Sequence, residues 1–309
     1  MSRRRANRAV KPSVATRFPS LSRGPEIDQD VFMFADDIHL ALMPISGHTE
    51  RKKGFTVELH GEEEDCDKAK EIIGSLGAYD RHDTAAMVCD AVDNIARHLA
   101  WEGQATYEIV KDNEQIYIFG FTPNYLFKVM FWYLQIIPRG DWNLWNRKFT
   151  LIRNKSVWKV VIPFELGGVR GFKRVLRKLG KYSQLGPQFF RRDLERGLTT
   201  EHYDFREYAR NSEIYVNRVT KKWGWNRRDW SQKNCTEFYS FYKMLLFRHA
   251  QALLREHIIN EINNLLERLS IKAKLVVIGL PTAIEIWQIK CDMQSGNISF
   301  LEASDRAST

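Results

Sequence analysis

The sequence predicts an α+β fold, and three stretches carry that expectation. Residues 54–60, GFTVELH, alternate Phe55, Val57 and Leu59 with polar positions, the period-two mark of a strand. Residues 83–102 set Val88, Val92, Ile95 and Leu99 at helical spacing behind Asp83, a good helix cap, and Gly103 can close that helix. TEFYSFYKMLLFRHAQALLREHIINEINNLLERL (236–269) reads as one long helix, with Phe238, Leu245, Ala252, Ile259 and Leu266 recurring every seven residues. At ~1.5 Å per residue such a helix is about 50 Å long. A helix of that length has to lean on several elements or on another chain.

The other elements follow in chain order. Residues 1–25 hold seven basic side chains up to Arg23, with Pro12 and Pro19 among scattered serines. They read as a disordered basic arm, too polar to order themselves. Residues 26–165 read as mixed α and β. A short helix over 62–76 follows the first strand. ATYEIVKDNEQIYIFGF forms a hairpin with its turn at Asp112 and Asn113, and a second hairpin turns at Asn154 and Lys155, between FTLI and VWKVVIP. Residues 166–197 carry a basic helix. Its stripe of Phe172, Val175, Leu176 and Leu179 is flanked by Lys173, Arg174, Arg177, Lys178 and Lys181, and Gly186-Pro187 ends it. Residues 198–234 make a polar connection. Asn234 and Glu237 resemble a capping box ahead of the long helix at 235–270. Residues 271–309 supply a strand at 274–280, a helix starting at Pro281 or Thr282, and a tail.

The chain has 309 residues, 44% apolar and 12% aromatic, enough for a sizeable core. Its 47 Lys and Arg against 38 Asp and Glu leave a net +9, which suits an anionic partner. Cys66, Cys89, Cys235 and Cys291 are too scattered for a structural zinc and read as reduced thiols. No apolar core follows the basic start, so no signal peptide is expected. The most apolar run, YLFKVMFWYLQII (125–137), is interrupted by Lys128 and falls short of the ~20 residues of a membrane span. No membrane partner is expected.

No motif for catalysis emerges. The sequence has no phosphate-binding loop, no H-E-x-x-H and no G-x-S-x-G. Gly167, Gly168 and Gly171 are misplaced for a dinucleotide turn. The acidic run at 61–67 beside His60 points around a helix rather than toward one ion, and Asp36, Asp37 and His39 form a second weak metal candidate. His249 and His257 read as core or interface residues. No catalytic residue, metal or cofactor is assigned. KKWGWNRRDW (221–230) combines Trp223, Trp225 and Trp230 with Arg227 and Arg228, a mixture that serves nucleic-acid stacking or a protein interface equally.

Four segments in this order resemble the portal proteins of tailed double-stranded DNA phages, in a shortened form. They are DTAAMVCDAVDNIARHLAWEGQATYEI (83–109), TLIRNKSVWKVVIPFELGGVRGFKRVLRKL (150–179), the long helix 236–269, and VVIGLPTAIEIWQIKCDMQSGNISFLEAS (276–304). The resemblance implies a portal-like, ring-forming fold. Residues 26–165 would be wing-like, 166–197 stem-like, and 198–234 a short clip-like connection. It implies no bond chemistry but a mechanical role: a ring at a capsid vertex, twelvefold in that family, through which the genome is packaged and ejected. The implied partners are further copies of the chain, double-stranded DNA contacted without sequence preference, the capsid, the packaging terminase and tail or adaptor proteins. The location implied is the virion, and the host cytoplasm during assembly. The DNA-or-partner candidates are Lys173, Arg174, Arg177, Lys178, Lys181, Arg227 and Arg228. The subunit-interface candidates are Trp223, Trp225, Trp230, Phe238, Leu245, Phe247, Leu254, Ile259 and Leu266, with Ile258 and Leu265 on a second apolar side of the long helix. Position between the two helices favours packing over stacking for the tryptophans. The alternatives are a metal-dependent nuclease built on Asp36, Asp37, Glu62 or Glu63, and a single-stranded nucleic-acid binder stacking bases on 221–230.

Overall fold

In the computed structural model the described residues are 10–21, 28–40, 42–43, 55–112, 115–180, 213–227 and 236–308. They form an α+β fold with three small antiparallel sheets. The centre is helix α3 (Thr84–Glu102), flanked by α1 (Gln29–Leu40) and α2 (Glu63–Leu76). Val88, Val92, Ile95 and Leu99 are fully buried, and Ala91, Ala96 and Ala100 widen the buried stripe so that neighbours approach closely. Both predicted ends of α3 hold. The Asp83 carboxylate accepts from Ala86 N at 2.9 Å, and Gly103 closes the helix in the left-handed region at φ 72°, donating to Leu99 O.

That glycine turns the chain directly into β2 (Gln104–Asp112), which pairs with β3 (Gln115–Gly120) as the predicted hairpin and with β7 (Val157–Val161) on its other edge. The second predicted hairpin is not formed. β6 (Phe149–Arg153) pairs with β5 (Trp132–Ile136), which pairs with β4 (Leu126–Val129), so β6 and β7 lie in different sheets. The turn at Asn154–Ser156 is a single 3-10 turn. Arg268, far along the chain, holds that corner by donating to Val157 O at 3.1 Å and to Lys155 O. The third sheet pairs β1 (Thr56–His60) with β8 (Lys274–Ile278), joining distant parts of the chain.

Residues 10–21 correct the expectation of a disordered arm reaching to residue 25. Val14 and Ala15 are fully buried. Buried Glu108 on β2 accepts from Ser13 Oγ and from Val14 N. Gln135 on β5 accepts from Ala15 N at 2.8 Å and returns a bond to Ala15 O at 2.9 Å. Asp141, just ahead of the short helix α4 (Trp142–Trp145), accepts from Ser20 N and Oγ. The segment thus links the β2 and β5 sheets through polar groups that would cost stability if buried unpaired.

A helix over 168–180 (α5) and a short one over 213–219 (α6) precede α7 (Glu237–Arg268). The cap of α7 is Thr236, whose Oγ1 accepts from Tyr239 N; Asn234 lies outside the described residues. α7 packs against α3, β7, β8, α8 (Ala283–Ser295) and α9 (Phe300–Ser308). It explains its two apolar sides within one chain: Leu254, Ile258, Ile262 and Leu265 enter the main core, while Phe241, Leu245 and Ala252 join a second cluster with Ile286, Met293 and Ala303. α8 starts from the predicted Thr282, closed by a capping box with Glu285.

Candidate nucleic-acid and assembly surfaces

Trp223 and Trp225 are core residues. Trp223 is 0% and Trp225 2% exposed. Between them Gly224, at φ 69°, lies flush on α7: a Cβ there would stand 2.4 Å from Leu246 Cβ, 2.7 Å from Phe247 N and 2.8 Å from Lys243 O. This close approach lets one indole enter on each side. Both pack on Phe34 of α1, with centroids 5.6 and 5.2 Å away, and Trp223 also meets Phe172 of α5 at 5.4 Å. Trp225 Nε1 donates to Asp37 at 2.7 Å. Two of the three rings proposed for base stacking are therefore inside the protein, and for these two an intrachain contact replaces the expected subunit contact. Arg227 is likewise turned inward, pairing with buried Asp30 at 2.8 Å through Nε. Trp230, Arg228 and Lys181 lie outside the described residues.

The interface candidates on α7 divide the same way. Leu245, Leu254 and Leu266 are fully buried within the chain, Phe247 and Ile259 are partly buried against its main core, and Phe238 remains 48% exposed. The first five are claimed by α7's own neighbours, because the helix is sandwiched on both sides. Only Phe238 of this set stands open to another molecule.

The basic helix does present a surface. On α5, Phe172 and Leu179 are buried while Arg170, Lys173, Arg174, Arg177 and Lys178 are exposed. Residues 168–180 include no acidic side chain. These cations span two turns, about 12 Å, a density suited to successive phosphates. At the base of the helix lies Glu102. Burial raises its pKa to about 7, against the opposing pull of the Lys173 charge and a hydrogen bond with Thr122.

The acidic clusters are dispersed. His39 Nδ1 meets Asp93 at 2.9 Å, and Asp36 stands 3.6 Å from its other nitrogen. Asp37 receives the Trp225 indole. Glu62 and Glu63 open α2 in solvent, and His60 pairs instead with Glu58 at 2.8 Å. No group of three His, Cys, Asp or Glu among the described residues is arranged to hold a metal ion. Burial pushes the Cys89 thiol up to about 11, which leaves it a poor nucleophile at neutral pH. His249 packs on Trp287 with centroids 5.0 Å apart.

The structure adds a surface that sequence reading missed. The β4–β5–β6 sheet buries Tyr133, Gln135, Thr150 and Ile152 on one face. Its other face aligns Phe127 with Leu134 and Leu151, Val129 with Trp132, and Ile136 with Phe149. Phe127, Val129, Trp132, Ile136, Phe149 and Leu151 are each 41–60% exposed, and Met130 and Phe131 at the hairpin tip reach 79% and 76%. The covered face includes Gln135 and Thr150 and the exposed face is the more apolar, so alternation alone points to the wrong side.

Among the described residues no helix is long and apolar enough to cross a membrane. Comparison with known proteins gives no match to a family model or to a curated protein.

Proposed function

We propose that the chain is the subunit of a portal-like ring: a structural protein at a capsid vertex that conducts DNA during packaging and ejection and docks the packaging motor and tail proteins. The observation that carries this reading is the coexistence, on one chain, of a helix face with five exposed cations and a separate sheet face of exposed apolar side chains. The first suits sequence-independent contact with a phosphate backbone; the second suits assembly. The order of segments supports it further. α3 passes through left-handed Gly103 into β2, and β7 leads through Gly167 and Gly168, both at positive φ, into the basic helix α5. On this reading α1–α4 with β1–β7, within residues 26–165, are wing-like and α5 is stem-like. The partners are other copies of the chain, double-stranded DNA, the capsid, the terminase and tail or adaptor proteins, and the site of action is the virion after assembly in the host cytoplasm.

Negative-stain images of the purified protein, with DNA retention measured as a function of salt, test the reading. Rings with a central hole are expected. Affinity for duplexes of unrelated sequence should fall with salt at a slope of about −0.9 per neutralised phosphate. Replacing Lys173, Arg174, Arg177 and Lys178 with alanine should make that slope shallower. Particles without rings, together with DNA affinity indifferent to these four changes, would defeat it.

A further inference from the structure

We infer that the exposed face of β4–β5–β6 in one copy seats on the α8/α9 surface of the next copy, a head-to-tail contact. This inference rests on the ring-subunit reading and specifies its interface. Eight large apolar side chains on and beside the sheet face are each 41–79% exposed. At ~200 Å² for a large side chain they offer on the order of 900 Å². The largest apolar patch of an ordinary monomer is roughly 300–600 Å², whereas one side of a standard interface is about 800 Å². The size of the face is that of half an interface.

Charge selects the occupant. Residues 122–164 hold seven basic side chains and one acid, Asp141, which is buried and tied to Ser20. On the exposed face itself Arg153 lies opposite Trp132 and stacks over it at 5.7 Å, with no acid beside it, whereas Lys128 pairs with Tyr133 on the other face. The chain carries the complement at its other end. Residues 282–308 hold Glu285, Asp292, Glu302 and Asp305 against Lys290 and Arg306, and Lys290 is buried with its Nζ over the Trp287 ring. Ile284 and Trp287, one turn apart, expose an apolar strip of α8 (81% and 44%), and Leu301 of α9 is 74% exposed. An apolar face bearing Arg153 and no acid, and an apolar face within a net-acidic segment, form a heterologous pair on different parts of one chain, and such a contact generates a ring where its rotation closes.

Two variants test this. The first carries Phe149→Glu and Leu151→Glu on the sheet; the second carries Ile284→Glu and Leu301→Glu on the helices. All four positions are exposed, so native melting curves are expected for both. Each variant alone should self-associate at least ~30-fold more weakly than wild type, the scale of hot-spot loss, as read by light scattering. An equimolar mixture should form a dimer and stop there, because one intact face of each kind remains. A mixture that stays monomeric, or either variant assembling as wild type does, overturns the pairing while leaving the ring reading intact. A helix-face variant that still dimerises alone shows sheet-to-sheet pairing and overturns it. Loss of DNA retention rather than assembly in the sheet-face variant assigns the face to nucleic acid and overturns it too. A wild-type protein that is monomeric throughout removes both the pairing and the ring. Where a variant melts early, hydroxyl-radical footprinting of wild type reads the contact instead. Concentration-dependent protection of Phe149, Leu151 and Trp287 is expected, and unchanged labelling contradicts it.

Discussion

Two regions of this molecule share aromatic and basic residues and have opposite fates. Residues 221–227 and the β4–β6 sheet both mix tryptophan with lysine and arginine. The first is folded into the core, with Trp223 and Trp225 at 0% and 2% exposure; the second leaves Trp132 at 41% and Phe131 at 76%. The difference is set by backbone, not by side-chain chemistry. Gly224 lets its segment lie against α7 with no room for a Cβ, and two indoles fill the spaces beside it. The sheet has covered only one face, using residues 10–21 and the β2 sheet, and its more apolar face is left over. Aromatic and basic residues together therefore identify a surface only when the packing around them is known.

The contrast can be broken experimentally. Trp223→Ala should cost about 3–5 kcal/mol of stability, the range for deleting a buried large aromatic side chain, as measured by denaturant unfolding. Gly224→Ala should cost about 2–4 kcal/mol, since overpacking and a left-handed backbone penalty add. A loss below ~0.5 kcal/mol, the scale of ordinary surface substitutions, would mean that the segment does not sit flush on α7. Trp132→Ser, by contrast, should change stability by no more than about 0.5 kcal/mol while weakening self-association.

Glu102 gives a smaller effect that reports on the basic helix. Its folded pKa of about 7 lies above the ordinary carboxylate value of 4.5, so the folded chain holds a proton that the unfolded chain has released. Its contribution is complete below pH 4.5, declines as pH rises, and is lost above about 7. Glu102→Gln should flatten the fall in melting temperature across that window. An unchanged pH profile would show the carboxyl to be better solvated than its burial beside Lys173 implies.

What was legible in the sequence was local. The Asp83 and Gly103 ends of α3, the Thr282 start of α8 and the β2–β3 hairpin all follow from signals within a few residues. What was illegible depends on distant partners. Ser13, Val14 and Ala15 look like part of a disordered arm until Glu108 and Gln135 meet them across 94 to 120 positions. The β6–β7 hairpin looks sound until β5 and β2 claim those strands separately. The seven-residue repeat of α7 located a true helix, but periodicity does not say whether its partners are in the same chain. Here the neighbours are α3, β8 and α8, and only Phe238 of the candidate set was left outward. The exposed cations of α5 were readable because the helix is amphipathic by itself. The sheet face was not, because its more apolar side is the one left uncovered while Gln135 and Thr150 are buried on the other.

Native mass spectrometry of the full chain over a range of concentrations tests the proposed ring most directly. A closed oligomer of one stoichiometry, with no ladder of open intermediates at high concentration, is the expected result. A strict monomer at every concentration contradicts it.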